Sequence, residues 1–96
     1  MLQKKFYNDG MAISQKTLTA KSSAQQKIVA KELRKLRIKS DLSQDELATR
    51  AGIDRKTINR IENGHFSPTL DTITRLSLVL RITPGTLLGS GRRAKK

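Results

Sequence analysis

The chain of 96 residues is long enough for one small domain, and its composition is strongly basic. Lys and Arg number 20 against 8 Asp and Glu, and the formal net charge of +12 favours a polyanionic partner such as nucleic acid or an anionic membrane surface. No stretch approaches the roughly 18 consecutive apolar residues of a membrane span, and the start lacks the apolar run of a secretory signal. Cys is absent, which excludes disulfides and thiolate metal sites. We therefore expect a soluble cytoplasmic protein with no membrane partner and no metal or cofactor.

The aliphatic residues are concentrated in the middle of the chain, which predicts a folded domain over residues 23–89. Residues 1–22 contain four Lys and one Asp and predict a flexible basic extension. Residues 90–96 contain four basic residues and no acidic one and predict a basic tail. Two roles stay open for these ends, namely solubilisation and non-specific contact with phosphate.

The first predicted helix runs from Ser23 to Lys39. Its apolar residues Val29, Leu33 and Leu36 recur at spacings of four and three, which is one stripe of an amphipathic helix. Basic side chains lie away from that stripe. The pattern therefore predicts a helix that buries one face and exposes a positively charged one.

A second and a third helix follow, with a tight glycine turn between them. Ser43 begins the second helix, and Glu46 stands three residues later at the spacing of a reciprocal capping box. Gly52 fits a left-handed end of this helix. Asp54 is placed to cap the third helix with its carboxylate, and that helix is predicted from Arg55 to about Glu62.

Two further helices complete the predicted domain. Thr69 caps a fourth helix, and Thr83 and Pro84 start a short fifth one. Five helices with short connections and no strand pattern predict an all-α domain. A core of this size is marginal, so we expect apolar residues near the C-terminus to bury surface in a homodimer interface: Leu78, Val79, Ile82, Leu87 and Leu88.

The third helix presents two different faces on a wheel of about 100° per residue. Ile58 and Ile61 point inward, and the outer residues are all polar: Arg55, Lys56, Thr57, Asn59 and Arg60. Such a face has two interpretations at this point. It is an ordinary solvated helix face, or it reads bases, because Arg and Lys donate to guanine, Asn bridges adenine and the Thr methyl contacts thymine.

The segment LSQDELATRAGIDRKTINRIENGHFSPTLDTI has the spacing of helix, tight turn and helix. It resembles the phage-repressor and Cro type of helix-turn-helix protein, often called the XRE family, over about Ile28 to Leu88. The residues that carry the resemblance are Leu42-Ser43-Gln44, Leu47-Ala48, Gly52, Ile58, Ile61-Glu62-Asn63-Gly64 and Pro68. The resemblance implies a lambda-repressor-like five-helix bundle, and it favours DNA recognition over a solvated face.

What the resemblance implies for DNA contact is specific to single residues. Gln44 is expected to bond a phosphate and to brace the third helix. The bases are expected to contact the start of the third helix and the residue one turn later: Arg55, Lys56 and Arg60. Thr57 and Asn59 occupy positions of phosphate or occasional base contact, and the backbone at Asn63 and Gly64 is expected to approach phosphate.

The resemblance also implies an ion pair between Arg37 and Glu62. Glu62 lies about 40° from Ile58 on the wheel, on the inward side, so its carboxylate needs a donor. The planar fork of Arg37 is able to supply two N–H groups. Two positions depart from the family pattern, because Asp41 and Ala30 stand where Gly is usual. We expect these departures to affect local loop geometry and not the DNA-binding face.

The function that follows is a DNA-binding transcriptional regulator, such as a repressor, that binds operator DNA as a homodimer. Two recognition helices on a twofold axis reach half-sites about one helical turn apart. Controller proteins of restriction–modification systems have this form. An alternative is an antitoxin that binds a toxin protein and represses its own operon, and a third is a nucleic-acid module without sequence choice. No nucleophile has an oriented base beside it in the sequence, so we do not expect an enzyme.

Overall fold

A computed structural model describes residues 12–90, and this range forms five α-helices and no strand. The helices are α1 (Gln15–Lys39), α2 (Gln44–Ala51), α3 (Arg55–Glu62), α4 (Leu70–Leu80) and α5 (Pro84–Leu87). The all-α prediction is confirmed. Residues 1–11 and 91–96, which include most of the predicted basic tail, lie outside the described residues.

The first helix is longer than predicted, because it begins at Gln15 rather than at Ser23. Ser14 is its N-cap, and the Ser14 hydroxyl accepts a hydrogen bond from the Thr17 N–H at 3.1 Å. The added turns contact little of the core, so no apolar stripe marks them in the sequence; Leu18 is 47% exposed. Residues 15–22 are therefore helical where a flexible extension was predicted, and the outer limits of the domain stay a prediction.

The core contains residues from all five helices. Its fully buried large side chains are Leu33, Leu47, Ile58, Ile61, Leu76 and Leu87. Leu87 belongs to α5, which packs against α1 and α4, and it has no exposed surface within one chain. This burial corrects the assignment of Leu87 to a dimer interface, because its side chain is already covered by its own domain.

Four helices, α1 to α4, end in the same hydrogen-bonded turn, which needs one residue in the left-handed conformation. After α4 that residue is Arg81, with φ 58°. Gly52 (φ 70°) ends α2 and Gly64 (φ 72°) follows α3. Asp41 takes this position after α1 with φ 59°, and the Leu42 N–H bonds the Arg37 carbonyl at 3.1 Å. The turn after α1 therefore has the geometry that glycine favours although its residue is aspartate.

The side-chain cap predicted for α2 is present, and the one predicted for α3 is not. The capping box of α2 is present, since the Glu46 N–H donates to the Ser43 hydroxyl at 3.0 Å and the Ser43 N–H donates to the Glu46 carboxylate at 2.8 Å. The hydrogen bond from the Ser43 backbone N–H to the carboxylate is the main cause that lowers the pKa of Glu46. Asp54 is the N-cap of α3 through its backbone carbonyl, but its carboxylate makes no cap hydrogen bond, contrary to the prediction.

Candidate nucleic-acid interface

Helices α2 and α3 are held at a fixed angle by the turn between them. The Ile53 N–H bonds the Ala48 carbonyl at 3.0 Å, and Arg75 of α4 donates through Nη1 to the Ala51 carbonyl at 3.1 Å. A Cβ on Gly52 would lie 3.0 Å from Arg75 Nη1. The left-handed conformation therefore favours glycine at this turn, and a Cβ would require the Arg75 side chain to shift slightly.

Helix α3 is divided into an apolar inner face and a basic outer face. Ile58 and Ile61 have no exposed surface, because they pack into the core with α1 and α2. The outer residues that were predicted to read bases are all exposed: Arg55, Lys56, Asn59 and Arg60. Thr57 is half-buried, and Asn63 is exposed just beyond the helix. The structure thus brings the predicted DNA-contacting side chains of α3 onto one accessible surface.

An ion pair fixes the end of α3 to α1. Arg37 donates through Nε to Glu62 Oε2 at 2.7 Å and through Nη2 to Glu62 Oε1 at 3.0 Å. The third donor of Arg37, Nη1, bonds the Leu42 carbonyl at 2.9 Å. The hydrogen bond to Glu62 raises the pKa of the Arg37 guanidinium above its ordinary value. This is the pair that the family resemblance implies, and it also closes the turn between α1 and α2.

Gln44 connects this ion pair to the outer face of α3. Its amide nitrogen donates to Glu62 Oε1 at 3.1 Å, and its amide oxygen accepts from Asn59 Nδ2 at 3.3 Å. Asn59 in turn accepts from Asn63 Nδ2 at 3.1 Å. The bracing role expected of Gln44 has a physical basis here. Its contact with Glu62 was not predicted, because sequence spacing does not show that the two helix ends meet.

One residue near the site was not predicted to take part in it. The guanidinium carbon of Arg60 lies over the Phe66 ring, 5.5 Å from its centroid. Phe66 is half-buried and packs against the core from the loop after α3. The sequence shows only that the loop contains an aromatic residue, so this contact across a turn is visible only in three dimensions.

Four of the five residues predicted for a dimer interface are at least partly accessible. Leu78 is 74% exposed and Leu88 is 42% exposed, whereas Val79 and Ile82 are half-buried at the edge of the core. In residues 12–90 no helix is both long and apolar enough to cross a membrane.

An all-helical bundle with a glycine turn before an outward-facing basic helix is the architecture of helix-turn-helix DNA-binding proteins. The helix-turn-helix family HTH_3 matches residues 33–87 of the chain, which is more than half of it. The chain belongs to this family and is a DNA-binding transcriptional regulator. No curated protein sequence matches the chain significantly.

Solved structures with a similar fold include regulators from three bacteria. The restriction-modification controller protein C.AhdI from Aeromonas hydrophila is 34% identical with a TM-score of 0.64, over 67% of this chain and 97% of that protein. A hypothetical transcription factor, NHTF from Neisseria, is 24% identical with a TM-score of 0.68 over 75% and 85%, a likeness of fold alone. An HTH_3 family transcriptional regulator from Vibrio cholerae is 25% identical with a TM-score of 0.67, over 72% of this chain and 39% of that one.

Proposed function

We propose that this protein binds a specific operator in double-stranded DNA as a homodimer, with α3 in the major groove. The observation that carries the proposal is that α3 has an apolar inner face and a basic outer face. Its two isoleucines hold it rigidly on the core, while Arg55, Lys56 and Arg60 project from the opposite side. Paired N–H donors on such a helix match the O6 and N7 acceptors of guanine.

The main phosphate contacts in this proposal lie near the C-terminal end of α3. Gln44 is the first residue of α2, where free backbone N–H groups and the helix dipole favour an anion. Asn63 and the turn at Gly64 lie at the C-terminal end of α3, which Gln44 also contacts through Glu62, and Thr57 flanks the reading face. These groups would set the position of α3 along the groove, while Asn59, held by Gln44, would contact a base or a phosphate between them.

A homodimer is part of the proposal because one short helix reads only a few base pairs. Apolar side chains at the end of α4 and after α5 remain accessible, and the proposed interface uses Leu78, Val79, Ile82 and Leu88. Leu87 is fully buried and belongs to the core against which Val79 and Ile82 pack. The 34% identical controller protein aligns over 97% of its own length and 67% of this chain, which supports a small regulator built around this one domain.

Selection from random DNA duplexes, followed by titration at several salt concentrations, tests operator binding. We expect a twofold-symmetric consensus with half-sites about 10 base pairs apart and a marked preference over random DNA. Equal affinity for selected and random duplexes at every salt concentration would show a binding module without sequence choice.

Sedimentation of Leu78→Asp tests the dimer. We expect folded monomers with much weaker operator binding, because a buried carboxylate opposes association. Leu18→Asp is the matched control, since Leu18 is 47% exposed near the start of α1 and is not part of the proposed interface. A wild-type chain that stays monomeric at tens of micromolar and still binds a full operator tightly would contradict the dimer.

A further inference from the structure

The loop after α3 turns back toward the helix that it leaves. The Gly64 N–H bonds the Ile61 carbonyl at 3.0 Å, and the His65 N–H bonds the Arg60 carbonyl at 3.3 Å. These two bonds reverse the chain at Gly64, whose φ of 72° is costly for other residues. Phe66, two residues beyond Gly64, is thereby directed to the side of α3 that carries Arg60.

Phe66 and Arg60 differ in how firmly they are held. Phe66 packs against the core, whereas Arg60 is exposed. The 5.5 Å from the guanidinium carbon to the ring centroid is within the distance of about 6 Å at which a cation is attracted to an aromatic face. Phe66 is the only Phe, Tyr or Trp within residues 12–90. The ring is thus a fixed support, and Arg60 is the one reading side chain that rests on it.

The chemistry of this contact suits base recognition. A carboxylate partner would occupy the N–H donors of an arginine, whereas an aromatic face attracts the charge without accepting those hydrogen bonds. Among the described residues no carboxylate pairs with Arg60. Its donors are consequently free for two acceptors on a base edge, while the ring restricts the conformations of the side chain before DNA arrives.

We propose that Phe66 is a positioning residue for Arg60 and strengthens the preference for guanine at the base pair that Arg60 contacts. The inference rests on the proposed function, in which Arg60 reads a base. Phe66 acts through the orientation of Arg60 and not through a base contact of its own.

The test measures binding of the full chain to its selected operator and to operators changed at single base pairs. Arg60→Ala first identifies the base pair at which discrimination is lost. Phe66→Leu should then reduce discrimination at that pair by about two- to fivefold, the size of an exposed cation–π contact. Phe66→Tyr should preserve it, because the ring face is retained. Discrimination at the pair identified by Arg55→Ala is the internal control and should not change.

Combined variants separate positioning from a general loss of stability. In the Arg60→Ala background, Phe66→Leu should have no further effect on discrimination. Unchanged discrimination in folded Phe66→Leu, or an equal loss at every base pair, overturns the inference while leaving the proposed function intact. If Arg60→Ala itself leaves every preference unchanged, base reading by Arg60 fails and the inference fails with it.

A second measurement does not depend on how well the Phe66 variants fold. The ring current of Phe66 should shift the Arg60 side-chain protons upfield in the wild-type protein, both free and bound to the operator. Random-coil shifts for these protons in the complex would overturn the inference.

Discussion

Arg37 and Glu62 are joined by two hydrogen bonds of 2.7 and 3.0 Å that connect α1 to the last residue of α3. The Glu62 side chain is 2% exposed and the Arg37 side chain 13% exposed. Because the pair is removed from water, each charge depends on the other. The recognition helix is therefore held at its C-terminal end by a contact that breaks at high energetic cost.

Arg37→Met should lower the free energy of unfolding by about 3 kcal/mol, since it leaves the Glu62 carboxylate buried without its main donor. Urea denaturation measures the change. Asp71→Asn is the control, because the pair of Asp71 with Arg75 is exposed and should contribute less than about 1 kcal/mol. Equal effects of the two substitutions would show that the buried pair does not hold the helices together.

Arg55→Ala and Arg60→Ala should each weaken operator binding by about 1–3 kcal/mol and relax the base preference at one pair. Lys31→Ala removes the same charge from the exposed face of α1 and should weaken specific and random DNA equally, if at all. Competition titrations with scrambled DNA distinguish these effects. Full discrimination in both arginine variants would place the reading face elsewhere.

Gln44→Ala should lower affinity for all sequences by a similar factor and leave the preferred sequence unchanged, because the lost contact is to phosphate. It also removes the donor to Glu62 and the acceptor for Asn59, so a modest loss of stability is expected. Repeating the duplex selection with the variant checks both points. A new consensus at unchanged affinity would argue against the phosphate role.

Asp41→Gly should stabilise the fold by about 0.5–1 kcal/mol, because Asp41 occupies a left-handed conformation at φ 59°. Asp41→Asn removes the same charge but keeps a side chain, so it should change stability less. Thermal unfolding of the two variants separates backbone strain from charge. Gly52→Ala, at φ 70°, should have the opposite sign to Asp41→Gly.

The pKa of Glu46 is lowered in the folded protein by its hydrogen bonds with Ser43, so its charged form stabilises the fold. That contribution is fully present above its ordinary pKa of 4.5 and is lost as the pH falls through the lower folded value. Glu46→Gln keeps an acceptor but does not titrate. The wild type should therefore lose its advantage over this variant in acid, as measured by denaturation at several pH values; parallel curves would contradict the assignment.

The sequence predicted best the elements whose boundaries are set by local interactions. Helix α3 lies where expected, from Arg55 to Glu62, because the polar N-cap residue Asp54 precedes it and the Asn63-Gly64 turn follows it. The start of α1 was missed because residues 15–22 contact little of the core and carry no apolar stripe. In that segment the cap at Ser14 was the only available signal.

The candidate site was predictable to the extent that it lies on one helix. The outward direction of Arg55, Lys56 and Arg60 follows from the helical repeat alone. The Gln44–Glu62 bond and the Arg60–Phe66 contact depend on how separate elements meet, and helical spacing carries no such information. The burial of Leu87 was missed for the same reason, because apolar character does not distinguish an interior from an interface.

The hydrogen-bond chain from Arg37 through Glu62 and Gln44 to Asn59 restricts how this protein would acquire a new target sequence. A substitution at Gln44 or Asn59 alters the scaffold as well as the DNA contact. Arg55 and Lys56 make no such internal bonds among the described residues, so they are able to vary at little cost to folding. Changes of operator should therefore arise first at the beginning of α3, and an engineer who wishes to retarget the protein should randomise those two positions before any other.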